Sequence, residues 1–90
     1  MVKANLLVRG HVQGVFFRAN TKKKAEELRL EGKAENLEDG SVRITAQGPK
    51  EDVDKLVEYC INGTEHGHVE DVDINYSDEE DEELEGFRVN

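Results

Sequence analysis

Residues 32–48 read GKAENLEDGSVRITAQG. Asp39-Gly40 is a dipeptide that favours the tight turns of β-hairpins, and Gly32–Leu37 and Ser41–Gln47 flank it as two arms. In the second arm Val42, Ile44 and Ala46 alternate with Arg43 and Thr45, the period of a strand with one buried face. A central hairpin is therefore expected. Immediately outside it stand two helical patterns. Phe17–Leu28 places Phe17, Thr21, Ala25 and Leu28 on one stripe, with Lys22, Lys23, Glu26 and Glu27 outside. Downstream, Gly48 is expected as a cap, Pro49 as the first helical residue and Gly63 as the stop. Between them Val53, Leu56, Val57, Cys60 and Ile61 follow the i, i+3, i+4, i+7, i+8 template. Further out, Ala4–Gly10 and Val69–Tyr76 read as strands. The acidic run SDEEDEELE (77–85) reads as a solvated connection and GFRVN (86–90) as a short terminal strand. The order is β-α-β-β-α-β with a final edge strand. Two βαβ units sharing a hairpin predict an antiparallel sheet with both helices on one face, in a single domain covering residues 1–90.

Composition narrows the function classes. The 90 residues carry a net charge of -9, with 36% hydrophobic and 37% charged side chains. No apolar run approaches the roughly 18 residues of a membrane span, and Lys3 interrupts the run that a secretory leader would need, so neither is expected. One cysteine, Cys60, cannot form an internal disulfide; a reducing cytoplasm is expected, where the sequon Asn62-Gly63-Thr64 has no role. The charge is unevenly placed. Residues 1–25 contain no acid but six bases (Lys3, Arg9, Arg18, Lys22, Lys23 and Lys24), and all 21 acids lie from Glu26 onward. At this net charge nucleic acid is not an expected partner, whereas a small anion could be focused locally.

That local charge surrounds residues 9–18, RGHVQGVFFR. A helix starting near Phe17 would present N–H donors and a partial positive charge, and an acidic or hydroxyl cap is the usual answer. Here the sequence supplies Arg18. Gly10 and Gly14 allow close backbone approach, and a guanidinium fork matches phosphate or carboxylate oxygens. An anion from outside is the expected partner of this turn. A nucleotide P-loop is excluded, because Gly14 is followed by Val15 and Phe16, not by Lys and a hydroxyl residue.

VRGHVQGVFFR (8–18), followed by Thr21, LRLEGKAEN (28–36) and EDGSV (38–42), resembles the acylphosphatase family over essentially the whole chain. The resemblance implies a ferredoxin-like α/β sandwich and hydrolysis of the mixed anhydride between a carboxylic acid and phosphate, without metal or cofactor. It implies a small acyl phosphate as substrate, inorganic phosphate as product and inhibitor, and a cytoplasmic monomer with neither nucleic acid nor membrane as partner. Arg18 and the backbone of the loop His11, Val12, Gln13, Gly14, Val15, Phe16 and Phe17 would bind the phosphoryl group, and Asn36 would position the attacking water. These roles suit the residue types: phosphoryl transfer needs alignment and charge stabilisation more than a strong base, and a neutral amide can hold water without repelling substrate.

The chain departs from the family pattern at Arg29, where Gly is usual, so the first helix is expected to close differently. It departs again at Lys33, Ala34 and Glu35, and at Thr64, where Pro is usual. Glu35 should point to the opposite face from Asn36. If these changes spoil water positioning, a non-catalytic phosphate- or carboxylate-sensing module is the alternative. A protein-interaction domain that docks an acidic partner is another.

Three other constellations carry less. Cys60 and His66 have the spacing of a thiol phosphatase without its arginine, and Cys60 falls on the apolar stripe. Asp71, Asp73, Asn75, Ser77 and Glu82 fall at calcium-loop spacing, but Tyr76 stands where Gly is needed and Val72/Ile74 alternate as in a strand. His66 and His68 lack further ligands at metal-binding spacing.

Overall fold

The computed structural model describes residues 1–13, 17–62, 68–79 and 81–89. Along the chain run β1 (Val2–His11), α1 (Phe17–Glu27), β2 (Glu31–Asn36), β3 (Val42–Gly48), α2 (Lys50–Asn62), β4 (His68–Ser77) and β5 (Phe87–Val89). Together the strands form one sheet in the order β4-β1-β3-β2-β5. The central hairpin is present: Glu35 faces Arg43 and Asn36 faces Val42 across β2 and β3. Its turn closes through Leu37 N–H to Ser41 O at 2.9 Å and Gly40 N–H to Leu37 O at 3.2 Å. Gly40 supplies the left-handed φ of 92°.

The alternation seen in the sequence becomes the division between two faces. Ala4, Leu6 and Val8 of β1, Ala34 of β2, and Val42, Ile44 and Ala46 of β3 are buried toward the helices. Phe17 and Ala25 of α1, with Val53, Leu56, Val57 and Cys60 of α2, close over them. Full burial of side chains such as Leu6 or Leu56 contributes about 1.5–3 kcal/mol each.

Four expectations need correction. The sheet is mixed, because β5 pairs parallel with β2 while the other pairs are antiparallel. The cause lies in the acidic run, which carries the chain from β4 at one edge to β5 at the other. It is not merely solvated: the buried Gln47 carboxamide donates to Asp81 O at 2.8 Å and accepts from Asp81 N–H at 2.9 Å. Gly48 is the last residue of β3, not a cap. The carbonyl of Pro49 accepts from Asp52 and Val53 N–H, both at 3.0 Å, so Pro49 holds the cap position itself. Ile61 is 48% exposed although Cys60 before it is fully buried, because at about 100° per residue it falls at the margin of the apolar stripe. Gly63 and Thr64 lie outside the described residues.

The end of α1 answers the question raised by Arg29. Leu30 N–H bonds Ala25 O at 2.9 Å and Arg29 N–H bonds Glu26 O at 3.0 Å, the pairing of a Schellman closure. Arg29 occupies its left-handed position at φ 58°. The helix thus closes in the conformation glycine favours, with an arginine in it.

Candidate active site

Strand directions fix where the site can be. Both β1 and β2 run antiparallel to β3, so they run the same way and finish at the same end of the sheet. Val8, Val42 and Asn36 stand in one row across β1, β3 and β2, which puts Asn36 about 10 Å from Val8 by strand spacing. At that same end the chain leaves β1 and begins α1, which packs over β2 and β5. The start of the first helix and the last residue of β2 therefore lie toward the same end of the sandwich.

At this end Phe17 is 1% exposed and anchors the helix start in the core, which leaves Arg18 partly exposed as the second residue of α1. No acid stands in the first turn. Asn36 is exposed at the end of β2, on the helix side of the sheet, and its side chain makes no hydrogen bond among the described residues. Glu35 points to the other face, where it pairs with Arg43 at 3.8 Å. Its charge is thus turned away from Asn36 and partly balanced.

Between β1 and α1 the described residues each have a definite place. The register of β1 against β4 shifts between Arg9 and Gly10, and Gly10 has φ 136°, a conformation in which a side chain would be strained. His11 is exposed, whereas Val12 is 1% exposed and ties the loop to the core. Being buried, the Val12 side chain is closed to a ligand, and Val12 could offer only its backbone. Gln13 is committed within the protein: its carboxamide nitrogen donates to Leu37 O and Ser41 O, both at 2.8 Å. Gly14, Val15 and Phe16 lie outside the described residues.

Local electrostatics are more balanced than the sequence asymmetry implied. Arg9 lies on the face away from the helices and reaches Asp73 at 2.8 Å and Asp71 at 3.0 Å. The hydrogen bond to Asp73 leads the interactions that raise its guanidinium above the ordinary value. Lys22 and Lys24 pair more loosely with Glu26 at 3.8 Å and Glu27 at 3.9 Å. In the turn, the hydroxyl and then the amide of Ser41 hold the Asp39 carboxyl below its ordinary value. A cavity of about 470 Å³ opens between Arg9–His11, Asp39–Ser41 and Glu70. A larger groove, about 550 Å³, lies along the open sheet face between Leu7, Arg43 and Asp73, away from α1.

The remaining constellations resolve into structure. Cys60 is fully buried and burial pushes its thiol up to about 12, so it is a neutral core residue. Asp71, Asp73 and Asn75 alternate along β4, and two of them hold Arg9. The described residues bring together no group of three or more His, Cys, Asp or Glu side chains suited to a metal ion. His66 lies outside the described residues, and His68 enters β4 opposite His11. No helix among the described residues is long and apolar enough to cross a membrane.

The acylphosphatase family model matches residues 4–89. An acylphosphatase of Haloarcula marismortui is 40% identical over 87 residues, covering 97% of this chain and 93% of its own. One from Thermus thermophilus is 45% identical over 83 residues, covering 92% of each. The crystal structure of acylphosphatase from Bacillus subtilis superposes with a TM-score of 0.93 at 32% identity, over 100% of this chain and 99% of that one.

Proposed function

The chain belongs to the acylphosphatase family, and from that premise we propose that it hydrolyses small acyl phosphates to carboxylate and inorganic phosphate. In the reaction a water oxygen attacks phosphorus while the bond from phosphorus to the carboxyl oxygen breaks. The carboxylate leaves with the bonding pair, and the water's second proton passes to solvent or phosphate. Arg18 grips two phosphoryl oxygens with its planar fork, helped by backbone N–H groups of the loop from His11 to Phe17 and by the helix terminus. Asn36 holds the water in line through its amide, and being neutral it repels neither substrate nor developing charge.

One observation supports this reading: the chain enters α1, whose first turn holds no acid, from the end of the sheet at which β2 finishes with Asn36. The sensing alternative rests on Glu35 and Arg29; Glu35 is turned to the far face against Arg43, and Arg29 takes the left-handed position that closes α1. The net charge of -9 disfavours nucleic acid, and a single buried thiol suits a reducing cytoplasm.

Hydrolysis of benzoyl phosphate, followed by ultraviolet absorbance, tests the reading. Turnover is expected, unchanged by a chelator. It should be abolished in Arg18→Gln and poorly restored in Arg18→Lys, which cannot reproduce a two-pronged contact. An Arg18→Gln protein keeping more than about a tenth of the parent's kcat/KM would overturn the assignment.

A further inference from the structure

Gln13 stands in the phosphate-binding loop, yet its side chain faces the protein. Both of its amide hydrogens are used, one to Leu37 O and one to Ser41 O, each at 2.8 Å. Those two carbonyls are the ones that close the β2–β3 turn, since Ser41 O also accepts from Leu37 N–H and Leu37 O from Gly40 N–H. Leu37 follows Asn36 directly, and Gln13 precedes Gly14. The carboxamide is thus a two-point tie between the loop that would hold phosphate and the residue next to the one that would hold water.

From this geometry we infer that the side chain of Gln13 is a positioning group, fixing the distance between the loop and Asn36, and not itself a ligand for phosphate. This rests on the hydrolytic role proposed for Asn36. A carboxamide is well matched to the task. Its single nitrogen carries two donors about 120° apart, which suits two acceptors bracketing one turn. The shorter Asn could not reach both, and Glu would set a carboxylate against two carbonyl oxygens. In-line attack tolerates little misplacement, and a shift of about 1 Å at a reacting group can cost on the order of a hundredfold in rate.

The test compares Gln13→Met, similar in length but without donors, with the parent. The expected result is a fall in kcat of about tenfold or more with the inhibition constant for inorganic phosphate changed by less than about threefold. In an Asn36→Ala background the same change should lower kcat by less than about twofold, because the group being positioned is gone. Gln13→Asn, which keeps an amide, should behave like Gln13→Met and guards against a folding defect peculiar to one variant. The inference is overturned if Gln13→Met keeps kcat within about twofold of the parent, if phosphate affinity falls in step with kcat, or if the loss is fully additive with Asn36→Ala. Amide hydrogen exchange separates this from failure of the hydrolytic reading. Even in a protein without turnover, Gln13→Met should speed exchange at Leu37 and Gly40 by about tenfold or more relative to the rest of the sheet. Unchanged exchange at those amides refutes the tie itself.

Discussion

Replacing Gly32 by alanine should damage this fold more than its small size suggests. Gly32 lies between two strands, opposite Ala46 of β3 and Phe87 of β5, and its N–H donates to Gly86 O at 2.9 Å. A Cβ there would stand 1.8 Å from Thr45 O and 2.8 Å from Thr45 C, with φ at +157°. The colliding atoms are backbone of β3, which cannot retreat without loosening its pairing to β1. A strained φ costs about 1–3 kcal/mol and each ladder hydrogen bond lost about 0.5–1.5, so the total is about 2–5 kcal/mol. In a domain of this size that should lower Tm by roughly 10–30 °C. Thermal unfolding followed by circular dichroism measures it, with Gly48→Ala as the control. Gly48 has nearly the same φ, +158°, but its Cβ would meet only Leu30 Cδ2 at 2.5 Å, the far end of a flexible side chain. Gly32→Ala should therefore melt well below Gly48→Ala. Equal losses in the two variants would refute the collision, and so would a Gly32→Ala protein within about 1 kcal/mol of the parent.

Arg29→Gly should stabilise the protein by about 1 kcal/mol, because the left-handed position closing α1 then carries no Cβ; a loss in Tm would show that the arginine side chain contributes more than the conformation costs. Thr21→Val should also stabilise, by about 1 kcal/mol, since Thr21 Oγ1 is wholly buried without a hydrogen-bond partner among the described residues beyond the facing Cys60 thiol, which is at most a weak one. A Val variant that unfolds more easily in urea than the parent would contradict that.

What the sequence made legible is local. Asp39-Gly40 marked the hairpin because a turn's chemistry is written in its own residues, and the alternation through Val42, Ile44 and Ala46 marked the buried face for the same reason. Arg18 stood out for a related cause, since a helix start without acids is visible in a single stretch; Asn36 did not, because an amide before a turn is ordinary turn chemistry, and it entered only through the resemblance of the whole chain. The direction of β5 was not legible, because it follows from where the run after β4 crosses the sheet. That path is held by Gln47 and Asp81, 34 residues apart. Gln13 enters the candidate site by resemblance and through its backbone, and the direction of its side chain was not legible. Its true partners are backbone carbonyls, which no residue type announces. Ile61 fits the helical period but lies at the margin of the stripe, where Cys60 is buried and its neighbour is not. Arg29 hid the left-handed closure of α1, because glycine is the residue by which such a position is recognised.

The division of labour between Arg18 and Asn36 is the central claim, and one paired measurement tests it most directly: kcat on benzoyl phosphate and the inhibition constant of inorganic phosphate, determined for the parent and for Asn36→Ala. If Asn36 holds water and Arg18 with the loop holds phosphate, kcat should fall by about a hundredfold or more while the inhibition constant moves by less than about threefold. A fall in phosphate affinity that matches the fall in kcat, or a kcat that survives the substitution, would contradict the account.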